Sequence, residues 1–427
     1  MASENKTAGK FVLNQRQKLL LPVVMIGAFF EGFDFMVVNL ALPYIKNAFG
    51  LTEQTAAYTL SAIAVGALVA FFVVRMADKI GRRPIFIWSV IIYSVFSLLT
   101  ASSVNLAMFV SFQFIARVFL VVCWAVGFII VAEEFDTEYR GRALGFFQGA
   151  AAIGAIFPSL LLPLVSMIPF LHWRGLYIIG ALPLLLLLFY AKNLPETQRF
   201  MEMKAGKGEN APSLFAVFAA PYRKNLFAIM ALWFCMYLSY ASAMNFFALR
   251  VEGELGWNEN QVGLVTALAF TIGLTGYVAV GKLLDMIGRK KTAYIFFGLG
   301  SLSVMMVFQA QSFLQVALAQ IIGVFFIGTF TVLCATFTNE LFPTELRGNV
   351  TAWGNNIVGR LGQIAAPALV GFLSAPLLLN GIGNAVTLMA CGTLLCVLIV
   401  AIFLPEPMTF QITEYKPDIE DETVIKG

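Results

Sequence analysis

Apolar residues run through this chain in long stretches separated by short polar breaks. Stretches able to cross the ~30 Å hydrocarbon core of a bilayer fall at 20–43, 57–77, 84–102, 106–131, 143–166 and 174–192, and again at 225–249, 261–283, 291–309, 313–337, 350–373 and 383–404. The segment 193–224 carries Pro, Gly, Glu and Lys and reads as a linker between two sets of six. The pattern predicts an all-α membrane protein of twelve transmembrane helices. A first six-helix bundle covers 1–192, a linker 193–224, a second six-helix bundle 225–404 and a tail 405–427.

The two sets are copies. "RMADKIGRRP" at 75–84 is matched by "KLLDMIGRKK" at 282–291, so Asp78, Gly81 and Arg82 correspond to Asp285, Gly288 and Arg289. The same offset carries Glu133, Glu138, Arg140 and Gly141 onto Glu340, Glu345, Arg347 and Gly348. One offset kept through two separated segments is an internal repeat of half the chain, with both copies in the same orientation.

Composition places this repeat in lipid. Of 427 residues, 59% are hydrophobic and only 12% charged, where soluble domains carry about a quarter charged. The five Cys lie in apolar stretches without metal spacing and read as small buried hydrophobes. The polar N-terminus passes into the first span without a small-residue cleavage site and reads as mature sequence. Nothing points to a metal, a cofactor or nucleic acid, and the single His, His172, sits at a short turn expected to be solvated. With both termini placed in the cytoplasm, the segments on that side hold about 23 of the 28 Lys and Arg, as the positive-inside bias requires. The opposite side holds Lys46, Arg174 and Arg250, and its short loops leave no room for a separate enzymatic domain.

The "GxxxDxxGRR/K" loop, present twice, resembles the signature loop of the major facilitator superfamily. The second copy is complete at Gly281, Asp285, Gly288, Arg289 and Lys290; the first is diverged at its start, with no Gly four residues before Asp78. "PET" at 195–197 and "PEP" at 405–407 resemble the ends of the sixth and twelfth spans in its sugar-porter and organic-ion branches. The resemblance spans essentially the whole chain. It implies the major facilitator fold, a multi-pass protein of the bacterial inner membrane working as a monomer in the lipid bilayer, and transport by alternating access. Asp78, Gly81, Arg82, Glu133, Glu138 and Arg140, with their mates Asp285, Gly288, Arg289, Glu340, Glu345 and Arg347, read as a cytoplasmic gate whose ion pairs close the inward side and break when it opens. Gly145, Gly149, Gly154 and Pro158 in one span, and Gly354, Gly359, Gly362 and Pro367 in its mate, allow close helix approach or bending.

Four charges lie within the spans. Glu31 and Asp34 share the first at i,i+3 spacing, Arg117 lies in the fourth and Arg360 in the eleventh. Charge at this depth is expensive and faces a cavity or a partner. Their repeat positions are Leu238, Ala241, Val324 and Ile153, so the gates are duplicated and the central charges are not. Two carboxylates three residues apart oppose simultaneous ionisation, and Arg117, always charged, favours the ionised form of either. This suits proton exchange, with Asp34 ranked ahead of Glu31; the alternative is a fixed carboxylate–Arg117 pair holding two helices together. Arg360, with no evident acid in its half, suits a substrate carboxylate. The remaining pocket candidates are Asn39, Trp124, Gln148, Tyr237, Tyr240, Asn245, Phe246, Asn355, Asn356 and Gln363.

"EGFD" at 31–34 resembles the acidic "DGFD" first-span motif of the aromatic-acid and related carboxylate:proton symporters, with Glu31 where Asp is usual. That resemblance implies transport roles for Asp34 and Arg117, and Arg360 falls where organic-anion carriers often hold a basic residue. The leading expectation is a secondary active transporter of a small organic anion coupled to proton symport. A proton-driven exporter of amphipathic compounds is the alternative. A uniporter leaves the acidic pair without work, and an enzyme lacks any Ser–His or metal-ligand cluster.

Overall fold

A computed structural model describes residues 13–168, 171–185, 194–205 and 213–407. The first half holds α1 (Gln15–Ala48), α2 (Glu53–Ile80), α3 (Arg82–Ala101), α4 (Leu106–Glu134), α5 (Thr137–Ser166) and α6 (His172–Gly180). A short α7 (Gln198–Lys204) follows. The second half holds α8 (Ala220–Gly253), α9 (Glu259–Ile287), α10 (Arg289–Gln309), α11 (Phe313–Ile327) continued by α12 (Phe330–Glu340), α13 (Arg347–Thr351) continued through a π-helical stretch Ala352–Gly359 into α14 (Arg360–Leu373), and α15 (Ile382–Ile402). Eleven helical segments among the described residues are long and apolar enough to cross a membrane. The twelfth expected span, 174–192, runs beyond α6 onto residues outside those described, as do parts of the expected linker and tail.

Helix boundaries follow the repeat. Shifting α2, α3 and α4 by the sequence offset lands on α9, α10 and the α11–α12 pair to within a residue. The caps shift too: Asn105 accepts from the Met108 amide at 2.9 Å to start α4, and its counterpart Ser312 accepts from Gln315 at 3.4 Å to start α11. Packing is likewise paired. α1 lies on α5 and α3 on α4 in one half; α8 lies on α14 and α10 on α11 in the other. Between the halves α2 meets α14 and α5 meets α9, the same contact made twice in opposite directions, and α1 meets α8.

Glycine sets how closely α1 and α5 approach. A Cβ on Gly154 would sit 1.8 Å from the Phe29 carbonyl oxygen, and one on Gly32 would sit 1.9 Å from that of Ala151. Backbone stands where a side chain would go, so neither site can give way. Gly362 approaches the Phe234 carbonyl in the second half, at 2.5 Å. Gly154→Ala is expected to remove the folded protein from a size-exclusion profile in detergent, because overpacking against backbone costs about 1–3 kcal/mol or more. Gly145→Ala, in open space on the same helix, is expected to leave the profile unchanged.

Candidate functional site

The two charged loops fold into matching clusters at one end of the molecule, here called the loop side. Arg82 opens α3 and forks onto Glu133 of α4 at 2.9–3.2 Å, meets Asp78 at 3.1 Å, and donates to the Ala77 carbonyl at 3.0 Å. Arg289 opens α10 and repeats this with Glu340 at 2.8–2.9 Å, Asp285 at 3.6 Å and the Leu284 carbonyl at 2.9 Å. Arg140 and Arg347 each donate through Nε to the carbonyl five residues back, Phe135 at 3.0 Å and Phe342 at 3.1 Å. Gly81 and Gly288 turn with φ of 119° and 92°, a region closed to most side chains. Glu345 is exposed, and the side chain of Glu138 lies outside those described.

These pairs differ from the sequence expectation in one respect. Each cluster ties helices of a single half, because the carboxylates nearest each arginine come from its own α2–α4 or α9–α12 neighbours. They brace the halves internally and do not bridge them.

Two carboxylates at this end were missed in the sequence. Glu196 accepts from the backbone amides of Arg82 and Arg83 at 3.0–3.2 Å, and Glu406 accepts from those of Arg289 and Lys290 at 2.9–3.0 Å. Each carboxylate thus sits on the N-terminal amides of a helix, where the helix dipole favours negative charge. The signal was the "PE" pair ending each half.

The halves approach one another on the opposite, far side. Ser61 of α2 donates to the Ile364 carbonyl of α14 at 2.6 Å, and Tyr44 near the end of α1 donates to Glu252 near the end of α8 at 3.0 Å. A Cβ on Gly263 of α9 would meet the Ser159 carbonyl of α5 at 2.4 Å. Eighteen residues further along each helix, at Gly281 of α9 and Gly141 of α5, an added Cβ would meet nothing within 4 Å. The α5–α9 pair therefore touches on the far side and diverges toward the loop side. His172, expected to be solvated, is half-buried with its ring edge-on to Tyr44 at 4.6 Å.

The four membrane charges meet between these regions. Glu31 lies within electrostatic reach of both Arg117 and Arg360. Arg117 also lies within electrostatic reach of Arg360, so guanidiniums from the two halves share one region of the seam. Among the described residues none of these four charges forms an ion pair within 4 Å, so the fixed carboxylate–Arg117 pair does not form here. Arg117 lies over the Phe35 ring at 5.7 Å and Arg360 over the Tyr237 ring at 5.5 Å. Phe35 stacks on Tyr240 at 6.1 Å, which joins the halves through aromatic faces at the same depth.

The polar candidates sort by position. Arg360 donates to Gln363 at 2.6 Å, and Tyr237 donates to Asn355 at 3.0 Å. The π-helical stretch just before Arg360 carries Asn355 and Asn356; such stretches concentrate at functional sites. Asn356 and Asn245 are half-buried, and Gln148 is exposed. Trp124 stacks on Phe128 at 5.9 Å. Phe246 is fully buried and packs in the core. Asn39 is buried, donates to the Phe35 carbonyl, and faces a small cavity shared with Thr266 and Gln320 on the far side.

Asp34 departs most from expectation. Three residues on an α-helix are 60° short of a full turn, which separates it from Glu31. Asp34 is 3% exposed and turns into the first half, within electrostatic reach of Tyr93 and Tyr177 as well as Arg117; its Oδ2 has no hydrogen-bond partner among the described residues.

The sequence model of the Major Facilitator Superfamily matches residues 24–367 and again 229–415. The chain belongs to this superfamily. It is a multi-pass integral membrane transport protein and not an enzyme. It is 28% identical over 370 residues to a sialic acid transporter of Escherichia coli strain K12, covering 85% of this chain and 88% of that protein. It is 26% identical over 388 residues to a cis,cis-muconate transport protein of Acinetobacter baylyi, covering 88% and 91%. To a gentisate transporter of Corynebacterium glutamicum it is 25% identical over 421 residues, covering 94% and 91%. The fold matches the crystal structure of a D-xylose–proton symporter with a TM-score of 0.76 at 18% identity, over 92% of this chain and 99% of that one. The facilitator fold read from the two signature loops is thereby borne out, and so is the organic-anion branch.

Proposed function

We propose that this transporter carries a small organic anion across the membrane together with a proton, by alternating access. The observation that carries the reading is that two guanidiniums from opposite halves, Arg117 and Arg360, neither of them in an ion pair among the described residues, share one region of the seam with Glu31 within electrostatic reach of both. In a low-dielectric seam, charge has to balance. Two arginines against two ionised carboxylates leave no place for an anion. A proton on either carboxylate exposes one positive charge, and a cargo carboxylate restores neutrality. Proton and anion therefore enter as a unit. The named relatives above move acids, which supports the same cargo class.

Arg360 is the principal cargo ligand. Its Gln363 bond and the Tyr237 face below it hold the guanidinium in one orientation, and a planar fork matches a carboxylate. Tyr237, Tyr240, Asn355, Asn356, Asn245 and Gln148 are the further candidates for cargo contact beside it. Asp34 carries the proton, and Arg117 communicates its charge to Glu31.

The charged loops lie in the cytoplasm of a bacterial cell, as the Lys and Arg distribution favours, and a single chain is the working unit in the inner membrane. Contact on the far side with divergence on the loop side is then the inward-open arrangement. The 1–192 and 225–404 bundles move as two bodies joined by 193–224, and the in-half clusters at Arg82 and Arg289 keep each rigid while they do so.

Arg360→Ala tests the cargo assignment. Loss of one charge-assisted fork is expected to cost about 2 kcal/mol, roughly thirtyfold in affinity, for gentisate or cis,cis-muconate in a binding titration. The corresponding amides are expected to change little. Equal loss for acids and amides contradicts the assignment and makes Arg360 structural. A thermal-shift screen of organic acids at two pH values identifies the ligand; stabilisation by cationic amphiphiles in place of acids supports the exporter.

A further inference from the structure

We propose that the end of the linker is a working part of the cargo site: docked on Trp353, it holds the helix ahead of Arg360 in the π register, and that register puts Asn355 and Arg360 on one face. Trp353 is thereby a positioning residue for Arg360, which rests on the reading of Arg360 as the cargo ligand. The π-helical stretch Ala352–Gly359 joins α13 to α14. In an α-helix, residues five apart point about 140° away from each other. A π turn closes between residues five apart and sets them one above the other.

Two pairs use the π register. Asn355 accepts from the Tyr237 hydroxyl at 3.0 Å, and Arg360 lies over the same Tyr237 ring at 5.5 Å. Gly354 and Gly359 likewise both face α8: a Cβ on Gly354 would meet the Trp233 ring at 3.0 Å, and one on Gly359 the Tyr237 ring at 3.0 Å. The Cβ on Gly359 would also sit 2.9 Å from the Gly354 carbonyl oxygen, five residues back on its own helix. The turn is closed too tightly there for a side chain. In the α register Asn355 and Arg360 would diverge and could not share one ring.

A π stretch is uncommon and persists where the segments on both sides of it are fixed. Downstream, Gly362 of α14 lies against α8, where a Cβ would meet the Phe234 carbonyl at 2.5 Å. Upstream, the linker end supplies the anchor. Trp353 Nε1 donates to the Leu214 carbonyl at 3.0 Å, and Asn349 of α13 donates to the Ser213 carbonyl at 2.7 Å. Phe218, in the 3₁₀ turn Ala216–Phe218 that leads into α8, sets its ring edge-on to Trp353 at 5.0 Å. Phe215 packs on the same indole at 5.7 Å. Freed of these contacts, α13 can turn by one residue and the stretch relaxes to α.

The repeat supplies the contrast. The first-half counterparts of Trp353, Gly354, Gly359 and Arg360 are Phe146, Phe147, Ala152 and Ile153. Their helix, α5, is α-helical from Thr137 to Ser166. Packing this helix against its neighbours therefore does not require a π stretch, since one half does without it. The stretch and its tryptophan anchor occur in the half that holds the arginine.

Two measurements on the whole purified protein test this. In a binding titration with gentisate or cis,cis-muconate, Trp353→Ala is expected to weaken affinity about tenfold, and to add no further loss when Arg360→Ala is already present. The second measurement needs no cargo. Arg360→Cys, with the half-buried native thiols Cys235 and Cys391 replaced by Ser, is expected to react with a maleimide, and to react about tenfold more slowly once Trp353→Ala turns it away. Should Trp353→Ala not fold, Asn349→Ala combined with Trp353→Phe removes both hydrogen bonds to the linker and keeps an aromatic ring in place. Unchanged labelling in the folded variant overturns the register. An equal loss of affinity with and without Arg360 overturns the positioning role and leaves Trp353 a packing residue. Slowed labelling with unchanged acid affinity upholds the register and places the failure in the reading of Arg360 as cargo ligand.

Discussion

Asp34→Asn is expected to lose proton-driven accumulation of cargo while retaining cargo exchange. Asparagine keeps the size of a protonated aspartate and cannot release a proton. The substituted centre is held in the form that accepts an anion, so the bundles still alternate with cargo bound, and exchange of labelled for unlabelled cargo continues. Net accumulation against a gradient requires the proton to leave on one side only, and that step is gone. One pH unit is worth about 1.4 kcal/mol, so a one-to-one symporter accumulates cargo about tenfold per unit, and the variant should equilibrate at unity. Proteoliposomes with an imposed pH gradient read both quantities. Glu31→Gln separates the two acids. Glu31 lies within electrostatic reach of Arg117 in its own half and of Arg360 across the seam, so its loss should disturb cargo affinity, whereas Asp34, turned into the first half, should disturb coupling. Driven accumulation that survives Asp34→Asn with unchanged stoichiometry excludes Asp34 as carrier.

Arg82→Ala should destabilise the protein far more than Arg289→Ala, although the repeat makes the two residues equivalent. Arg82 and Glu133 are 5% and 7% exposed at the side chain, whereas Arg289 and Glu340 are 17% and 34% exposed. Removing one partner of a buried pair strands the other charge, at about 3–5 kcal/mol. A solvated pair contributes about 1 kcal/mol or less. Thr197 also donates to Glu133 at 2.7 Å and would lose an oriented acceptor. Thermal unfolding in detergent should therefore show a large downward shift for Arg82→Ala and a small one for Arg289→Ala. Equal shifts would mean that burial does not decide the contribution of these clusters.

The repeat made much of this structure readable in advance. A single offset predicted paired helices and paired arginine clusters, and the structure pairs the caps at Asn105 and Ser312 as well, because each depends on local sequence alone. What stayed hidden depended on geometry that spacing does not encode. Glu196 and Glu406 stand 210 residues apart, three more than the offset elsewhere, so aligning the halves did not superpose them. Their partners are backbone amides, which leave no mark in the sequence. The pairing of Glu31 with Asp34 on one face was too coarse: 60° of helix rotation is enough to put one in the seam and the other inside a bundle. The π-helical turn before Arg360 was invisible as well, since Gly354 and Asn356 suit a bend, a turn or a tight packing site equally well. Phe35 was lost among 41 phenylalanines; only its place beneath Arg117 and against Tyr240 distinguishes it.

Coupled movement of a proton and an organic anion is the central claim, and it can be read directly as a pH change inside vesicles. Purified protein in liposomes loaded with a pH-sensitive dye, with the membrane potential clamped, is given an external pulse of gentisate, cis,cis-muconate or sialic acid. Symport predicts acidification of the lumen in step with uptake of at least one of these acids, absent in Asp34→Asn vesicles. Uptake with no change in luminal pH, or with alkalinisation, would contradict it.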